Sequence, residues 1–203
     1  MTAIPERAVT RAERQAQTRG TLIKVARRLF LADGYAATSL DRVALEAGFS
    51  KGAVYSNFKN KEELCLAVLD SIHERQIEEV VAAFRDHETL DERLEAFSAW
   101  ARERLGRPRW TALEVEFGSV ARQSPYVASE LAKRHTQVRG AIAALIDVVV
   151  EDAGVQISMS SEQAATVLLS LGIGLGAQRS LDPTIDVSVF AATMRQLIGL
   201  PPH

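Results

Sequence analysis

The sequence predicts an all-α protein of about nine helices, because apolar residues recur every three or four positions along most of the chain. Turn and cap residues separate these periodic stretches. No segment between turn signals alternates apolar with polar residues, so no sheet is expected. The pattern favours two domains, an N-terminal domain over residues 1–61 and a C-terminal helical domain over residues 62–203.

Three helices are predicted in the N-terminal domain. The first covers residues 18–33 and ends at Gly34, which can adopt the left-handed conformation that closes many helices. Ser39 stands at the N-cap of a short second helix that Gly48 ends. Ser50 caps the third helix, expected over residues 51–58. The preceding arm, about 15 residues long, has no clear pattern.

Six further helices are predicted in the C-terminal domain. The first is long, begins after the N-cap Asn60 and reaches Asp86. Gly106, Arg107 and Pro108 form one of the breaks between the others. The remaining five are expected over residues 90–105, 109–123, 125–153, 161–178 and 187–198.

Composition and charge limit the function classes. The chain of 203 residues is 47% apolar and contains one cysteine, Cys65, which excludes a disulfide-stapled miniprotein. It has no signal-peptide pattern and no apolar run long enough for a membrane span, so a cytoplasmic protein is expected. Residues 1–61 carry 11 Lys/Arg and 5 Asp/Glu, whereas residues 62–203 carry 13 and 21. A basic N-terminal domain favours nucleic-acid binding, although charge also varies along ordinary surfaces.

The spacing of Ala44, Gly48 and Val54 is typical of a helix-turn-helix. A small residue stands where two helices approach, a glycine stands in the turn, and an apolar residue anchors the second helix. Short or polar residues that could face the major groove, together with Lys59 and Lys61 just beyond them, fit this prediction. The candidate outward residues are Lys51, Gly52, Ala53, Ser56 and Asn57.

This segment resembles the tetracycline-repressor-like (TetR/AcrR) family of transcription regulators. The resemblance covers about a quarter of the chain and rests on the following residues. They are Phe30, Gly34-Tyr35, Thr38-Ser39-Leu40, Val43-Ala44, the run Ala47–Tyr55, Phe58, Lys61-Glu62 and Leu64.

The resemblance implies a DNA-binding regulator, most simply a repressor that a small-molecule inducer releases from a palindromic operator. The same resemblance implies two groups of DNA-contacting residues. The phosphate contacts would be Ser39, Lys51, Gly52, Tyr55 and Lys61, and the residues facing base edges would be Ala53, Ser56 and Asn57. Asn57 has the amide that can bond bidentately to adenine. Core packing is the alternative interpretation for Tyr55.

The resemblance also implies a ligand cavity in the C-terminal domain, where aromatic residues are concentrated. The candidate lining residues are Phe84, Phe97, Trp100, Trp110, Phe117 and Tyr126, although aromatic residues at helical spacing also build ordinary cores. Glu114 shares a helical face with Trp110 and Phe117, where an unpaired carboxylate would be costly. We therefore expect Glu114 or Glu116 to recognise a polar or positive ligand group; the alternatives are a salt bridge or a solvent-exposed edge of the helix.

The last two helices resemble the pair through which the family forms homodimers. Leu168, Leu171 and Leu175 are the predicted interface residues, and Gly172, Gly174 and Gly176 would permit close helix approach. These glycines also spell GxGxG, but no strand precedes them, so a dinucleotide site is not expected.

Other functions find less support in the sequence. His73, His87, His135 and His203 have no metal-ligand spacing, and the chain has no nucleophile elbow or phosphate loop, so no enzyme, metal or cofactor is expected. One alternative is a dimeric helix-turn-helix regulator without a small-molecule pocket, controlled by a protein partner or by abundance. Another is a redox sensor based on Cys65, although a lone helical cysteine usually packs as a small apolar side chain.

Overall fold

The computed structural model describes residues 10–105 and 109–200, and this part of the chain is helical with no strand. The all-α prediction is confirmed. The break predicted at residues 106–108 lies outside the described residues. The helices are α1 Arg11–Asp33, α2 Leu40–Ala47, α3 Lys51–Tyr55, α4 Lys61–Arg85, α5 Leu90–Leu105, α6 Arg109–Ala121, α7 Pro125–Ala153, α8 Ser161–Arg179 and α9 Ser188–Leu197.

The first helix begins earlier than the sequence analysis predicted. It starts at Arg11, seven residues before Thr18, because Thr10 and Glu13 form a capping box. The Thr10 hydroxyl accepts from the Glu13 amide, and the Glu13 carboxylate accepts from the Thr10 amide. The T-x-x-E spelling was the signal for this start. The third helix is also shorter than predicted and ends at Tyr55 rather than Phe58.

The chain divides into two compact units, residues 1–68 and 69–203, with the division inside α4. The first unit consists of α1, α2, α3 and the start of α4 around a small core, whose central side chains include Leu22, Phe30, Val54 and Phe58. Arg19 closes this core from one side. Its guanidinium lies 4.2 Å from the centre of the Phe58 ring and donates to the Asn57 carbonyl at 2.7 Å.

The second unit contains α5 to α9 and most of α4. Its core includes Phe97, Leu105, Ile146, Leu168 and other apolar side chains contributed by α4, α5, α7, α8 and α9. Helix α8 packs along α7 and also contacts α6 and α9. No helix of the described residues is long and apolar enough to cross a membrane.

Candidate nucleic-acid interface and ligand cavity

Helices α2 and α3 form the helix-turn-helix of the first unit. The Ser39 and Ser50 hydroxyls cap the two helices by accepting from the amides of Arg42 and Ala53. Gly48 takes φ 72° and ψ 25°, the left-handed conformation that the tight turn requires. The sequence analysis identified these three turn and cap residues correctly.

Three of the predicted phosphate-contacting residues line one surface groove of the first unit. Ser39, Tyr55 and Lys61 lie around it, at the start of α2, the end of α3 and the start of α4. Tyr55 is 56% exposed, so it is not a core residue. The Lys61 ammonium lies 4.1 Å from the centre of the Tyr35 ring and donates to the Ala36 carbonyl at 3.2 Å. This geometry places one hydroxyl, one phenol and one ammonium at the same groove.

Lys51 and Gly52 are exposed at the start of α3. The Lys51 ammonium donates to the Asp41 carboxylate at 2.5 Å. The hydrogen bond and the negative charge of Asp41 raise the pKa of Lys51. A phosphate would therefore compete with Asp41 for this lysine.

The three predicted base-facing residues are not equally available. Ser56 is exposed, and Ala53 is half-buried. The Asn57 amide nitrogen donates to the Ala53 carbonyl at 2.8 Å. Its Oδ1 atom is buried and has no hydrogen-bond partner among the described residues. In this conformation Asn57 does not present the free donor and acceptor that bidentate adenine recognition requires, so the amide would have to rotate to read a base.

The second unit contains an open-mouthed cavity of about 120 Å³. An apolar cavity of this size can hold a molecule about as large as benzene, and the open mouth leaves room for a larger one. Four of the six predicted lining residues do line it, namely Phe84, Phe97, Trp100 and Trp110. Glu114 and Phe117 are buried but do not line it. Tyr126 is 54% exposed and does not line it either.

The sequence analysis missed three cavity residues that bear on recognition. His73 and Gln76 lie on α4, and Phe190 lies on α9. The three-residue spacing of His73 and Gln76 places them on one helical face. The local sequence does carry a signal for that face, because Ile77, Val80 and Phe84 follow His73 at helical spacing and line the same cavity.

Glu114 forms a buried cluster with two histidines, where the sequence analysis expected a ligand or a salt bridge. Its Oε1 atom lies 2.9 Å from Nε2 of His135 and 3.7 Å from Nε2 of His73. Oε2 is buried without a hydrogen-bond partner in the described part of the chain. Burial alone would raise the pKa of Glu114, but the hydrogen bond with His135 and the closeness of His73 lower it to about 2.

Two of the predicted dimer-interface leucines are buried within the chain itself. Leu168 and Leu175 belong to the core of the second unit, and Leu171 packs against that core and is partly buried. The leucines that the sequence analysis assigned to a dimer interface therefore lie on the face of α8 that packs against the core of the same chain. Gly176 does permit a close approach, but to Thr111 of α6 in the same chain. The dimer interface stays a prediction.

Two sequence profiles match this chain. The profile described as "Bacterial regulatory proteins, tetR family" matches residues 22–68, which include the helix-turn-helix. The profile described as "BetI-type transcriptional repressor, C-terminal" matches residues 90–199, more than half of the chain. The chain belongs to the tetR family of bacterial regulatory proteins. It is therefore a helix-turn-helix transcriptional regulator, as the resemblance implied.

Relatives within the tetR family match this chain either closely over a short stretch or weakly over most of its length. The regulator TtgR of Pseudomonas putida is 46% identical over 67 residues, and the match spans 32% of each chain, about a third of that relative's length. UidR of Escherichia coli is 22% identical over 182 residues, which cover 90% of this chain and 91% of UidR. A regulator from Saccharomonospora viridis, solved in complex with choline, shares the fold with a TM-score of 0.67 and 19% identity over 90% of this chain and 96% of its own.

Proposed function

We propose that this tetR-family chain is a repressor that binds a palindromic operator as a homodimer, and that a small molecule bound in the cavity of the second unit releases it. The observation that carries the proposal is the pairing of two sites in one chain. One is the groove lined by Ser39, Tyr55 and Lys61, and the other is the cavity. The helix-turn-helix motifs of the two subunits would need a spacing of about 34–36 Å, or a multiple, to occupy successive major grooves.

Helix α4 connects ligand occupancy to DNA binding in this proposal. It begins at Lys61, which lines the groove, and continues to Arg85. His73, Gln76 and Phe84 of the same helix line the cavity. A ligand that contacts these side chains would favour one position of α4, and any difference in affinity between two positions shifts their populations.

A regulator without a small-molecule pocket is not favoured. A tightly packed protein interior leaves few voids larger than a water molecule, and a cavity of about 120 Å³ is larger than that. The choline complex of the Saccharomonospora viridis neighbour supports ligand binding in this fold.

Fluorescence anisotropy on the DNA upstream of the chain's own gene and neighbouring genes tests the proposal. We expect tight binding to one fragment that salt weakens steeply, with a length-matched unrelated duplex as control. Lys61→Ala should weaken binding to that fragment and to unrelated DNA alike, because it removes a phosphate contact. Lys133→Ala, which changes an exposed lysine of the second unit, should leave both affinities unchanged. Equal weak binding to every fragment would contradict the proposal.

Ligand control needs its own measurement. Both tryptophans of the chain, Trp100 and Trp110, line the cavity, so intrinsic fluorescence reports its occupation. Compounds that change this emission should also release the operator fragment. If compounds fill the cavity and operator affinity stays the same, the repressor is not controlled through this site.

A further inference from the structure

The cavity wall is almost entirely apolar. Among the described residues that line it, the polar side chains are His73 and Gln76, and there is no Asp, Glu, Lys or Arg. These two residues lie three positions apart on α4 and therefore form one polar end of the wall. A ligand with a full charge would leave water here without an opposite charge in the wall, which is costly.

The indole donors of the wall already have acceptors. Trp100 Nε1 donates to the Glu79 carboxylate at 3.3 Å, and Trp110 Nε1 donates to the Arg104 carbonyl at 3.3 Å. Glu79 in turn accepts from Arg75 and Arg104. The two tryptophans thus offer a ligand apolar surface and leave polar recognition to the α4 pair.

The aromatic rings of the wall pack against one another. Phe97 stacks on Trp100 and on Phe190, each with a centroid distance of 5.6 Å, and meets Phe84 edge-on at 5.9 Å. A cation is attracted to an open ring face. Because Phe97 stacks on two neighbouring rings, it does not offer an open ring face to a cation.

We propose that the cavity takes a neutral, mostly apolar molecule that carries one hydroxyl, amide or amine N–H group. The apolar body would contact the aromatic row, and the polar group would hydrogen-bond to His73 or Gln76. This inference rests on the proposed function, because it names the ligand class of the same cavity. It excludes choline and other small cations as tight ligands, together with anionic amphiphiles.

Two fluorescent probes with the same skeleton test the charge requirement. N-phenyl-1-naphthylamine is neutral and has one N–H group, and 8-anilinonaphthalene-1-sulfonate adds a sulfonate to it. Titration of the full chain should give a dissociation constant about tenfold or more lower for the neutral probe, because the described wall has no Lys or Arg to pair with the sulfonate. Choline at millimolar concentration should not displace the neutral probe. Tighter binding of the sulfonate, or displacement by choline, would overturn the proposal.

Substitutions on α7 locate the probe. Ala141 lines the cavity, and Ala144 is exposed on the same helix. Ala141→Trp should fill the space and lower the probe affinity about tenfold or more, whereas Ala144→Trp should leave it unchanged. Equal affinity in both variants would place the probe outside the cavity and contradict the proposal.

Removal of the polar end tests the hydrogen bond. At least one of Gln76→Leu and His73→Phe should weaken N-phenyl-1-naphthylamine about three- to tenfold, the effect of one hydrogen bond. The same variant should not weaken 1-phenylnaphthalene, which lacks the N–H group. If neither variant separates the two probes, the polar end does not recognise ligands. The probes could meet all these expectations while operator affinity stays the same. That result would support the proposed ligand class and contradict only the proposal that a ligand controls repression.

Discussion

Lys51, the first residue of α3, donates through its ammonium to the Asp41 carboxylate of α2 at 2.5 Å. Both side chains are exposed, at 68% and 52%. Asp41 also lines the groove that contains Ser39, Tyr55 and Lys61. The Asp41 carboxylate therefore places a negative charge in the candidate phosphate site and pairs with Lys51, which would otherwise be available to a phosphate.

Replacement of Asp41 should tighten DNA binding. Asp41→Asn releases Lys51 for a phosphate and removes a charge that repels the DNA backbone. We expect affinity to rise about three- to tenfold for operator and unrelated DNA alike, because a phosphate contact carries no sequence information. The slope of log affinity against log salt should steepen by about 1 for each added phosphate contact.

The matched control for this prediction is Glu46→Gln. It removes one negative charge from the same helix, but Glu46 pairs with Arg28 rather than with Lys51. If the two variants raise affinity and salt dependence equally, the effect comes from net charge and the Lys51–Asp41 pair has no special role.

Loss of the Tyr55 hydroxyl should weaken operator binding without affecting folding. Tyr55→Phe removes a donor that lines the groove, and a lost hydrogen bond to phosphate corresponds to a decrease of about three- to tenfold in affinity. The free energy of unfolding should change by less than about 0.5 kcal/mol, because the ring is exposed. Tyr126→Phe is the control, since Tyr126 is equally exposed on α7 of the second unit. Anisotropy and urea titration distinguish the two expectations.

Much of the first unit could be predicted from the sequence because its signals are local. Gly34, Ser39, Gly48 and Ser50 act within a few residues of their own position, so the helix ends followed from residue type. Asn57 shows where this reasoning stops. Its amide bonds to the carbonyl one turn before it, and residue type does not determine which of its available partners it takes.

The second unit was less predictable because its features depend on which neighbour covers each face. The spacing of Leu168 and Leu175 predicts an apolar face but does not say whether the same chain or a partner buries it. Glu114 was singled out because its position predicted burial, and that expectation was correct. Its partners His73 and His135 lie 41 and 21 residues away in sequence, and only the packing of α4 and α7 brings them together.

Glu114 should contribute stability that acid removes. Its pKa is lowered to about 2 in the folded chain, below the value of about 4.3 for an unperturbed Glu in an unfolded one. A group with a lowered folded pKa stabilises the fold above its unfolded pKa, and this contribution disappears as pH falls from about 4.5 to 2. Glu114→Gln should therefore be less stable at pH 7, by about 3 kcal/mol, and should lose less stability in that acid range.

Urea titrations between pH 7 and pH 2 measure the Glu114 contribution. Glu151→Gln serves as the control, since Glu151 is exposed on α7. It should follow the unmodified chain at every pH. Parallel pH profiles for Glu114→Gln and the unmodified chain would show that the buried carboxylate does not provide the acid-sensitive stability.

The contact between α6 and α8 should tolerate no side chain at Gly176. A Cβ atom added there would clash with Oγ1 of Thr111 and lie 2.7 Å from its Cβ. Gly176→Ala should therefore lower the free energy of unfolding by about 1–3 kcal/mol, the usual effect of overpacking. Gly140→Ala on α7 is the matched control, because a Cβ there meets nothing within 4 Å, and it should stabilise the helix by about 0.5–1 kcal/mol. Thr111→Ala combined with Gly176→Ala should recover part of the loss, because it removes Oγ1 but leaves the Cβ. Additive effects of the two changes would mean that Thr111 is not what Gly176 accommodates.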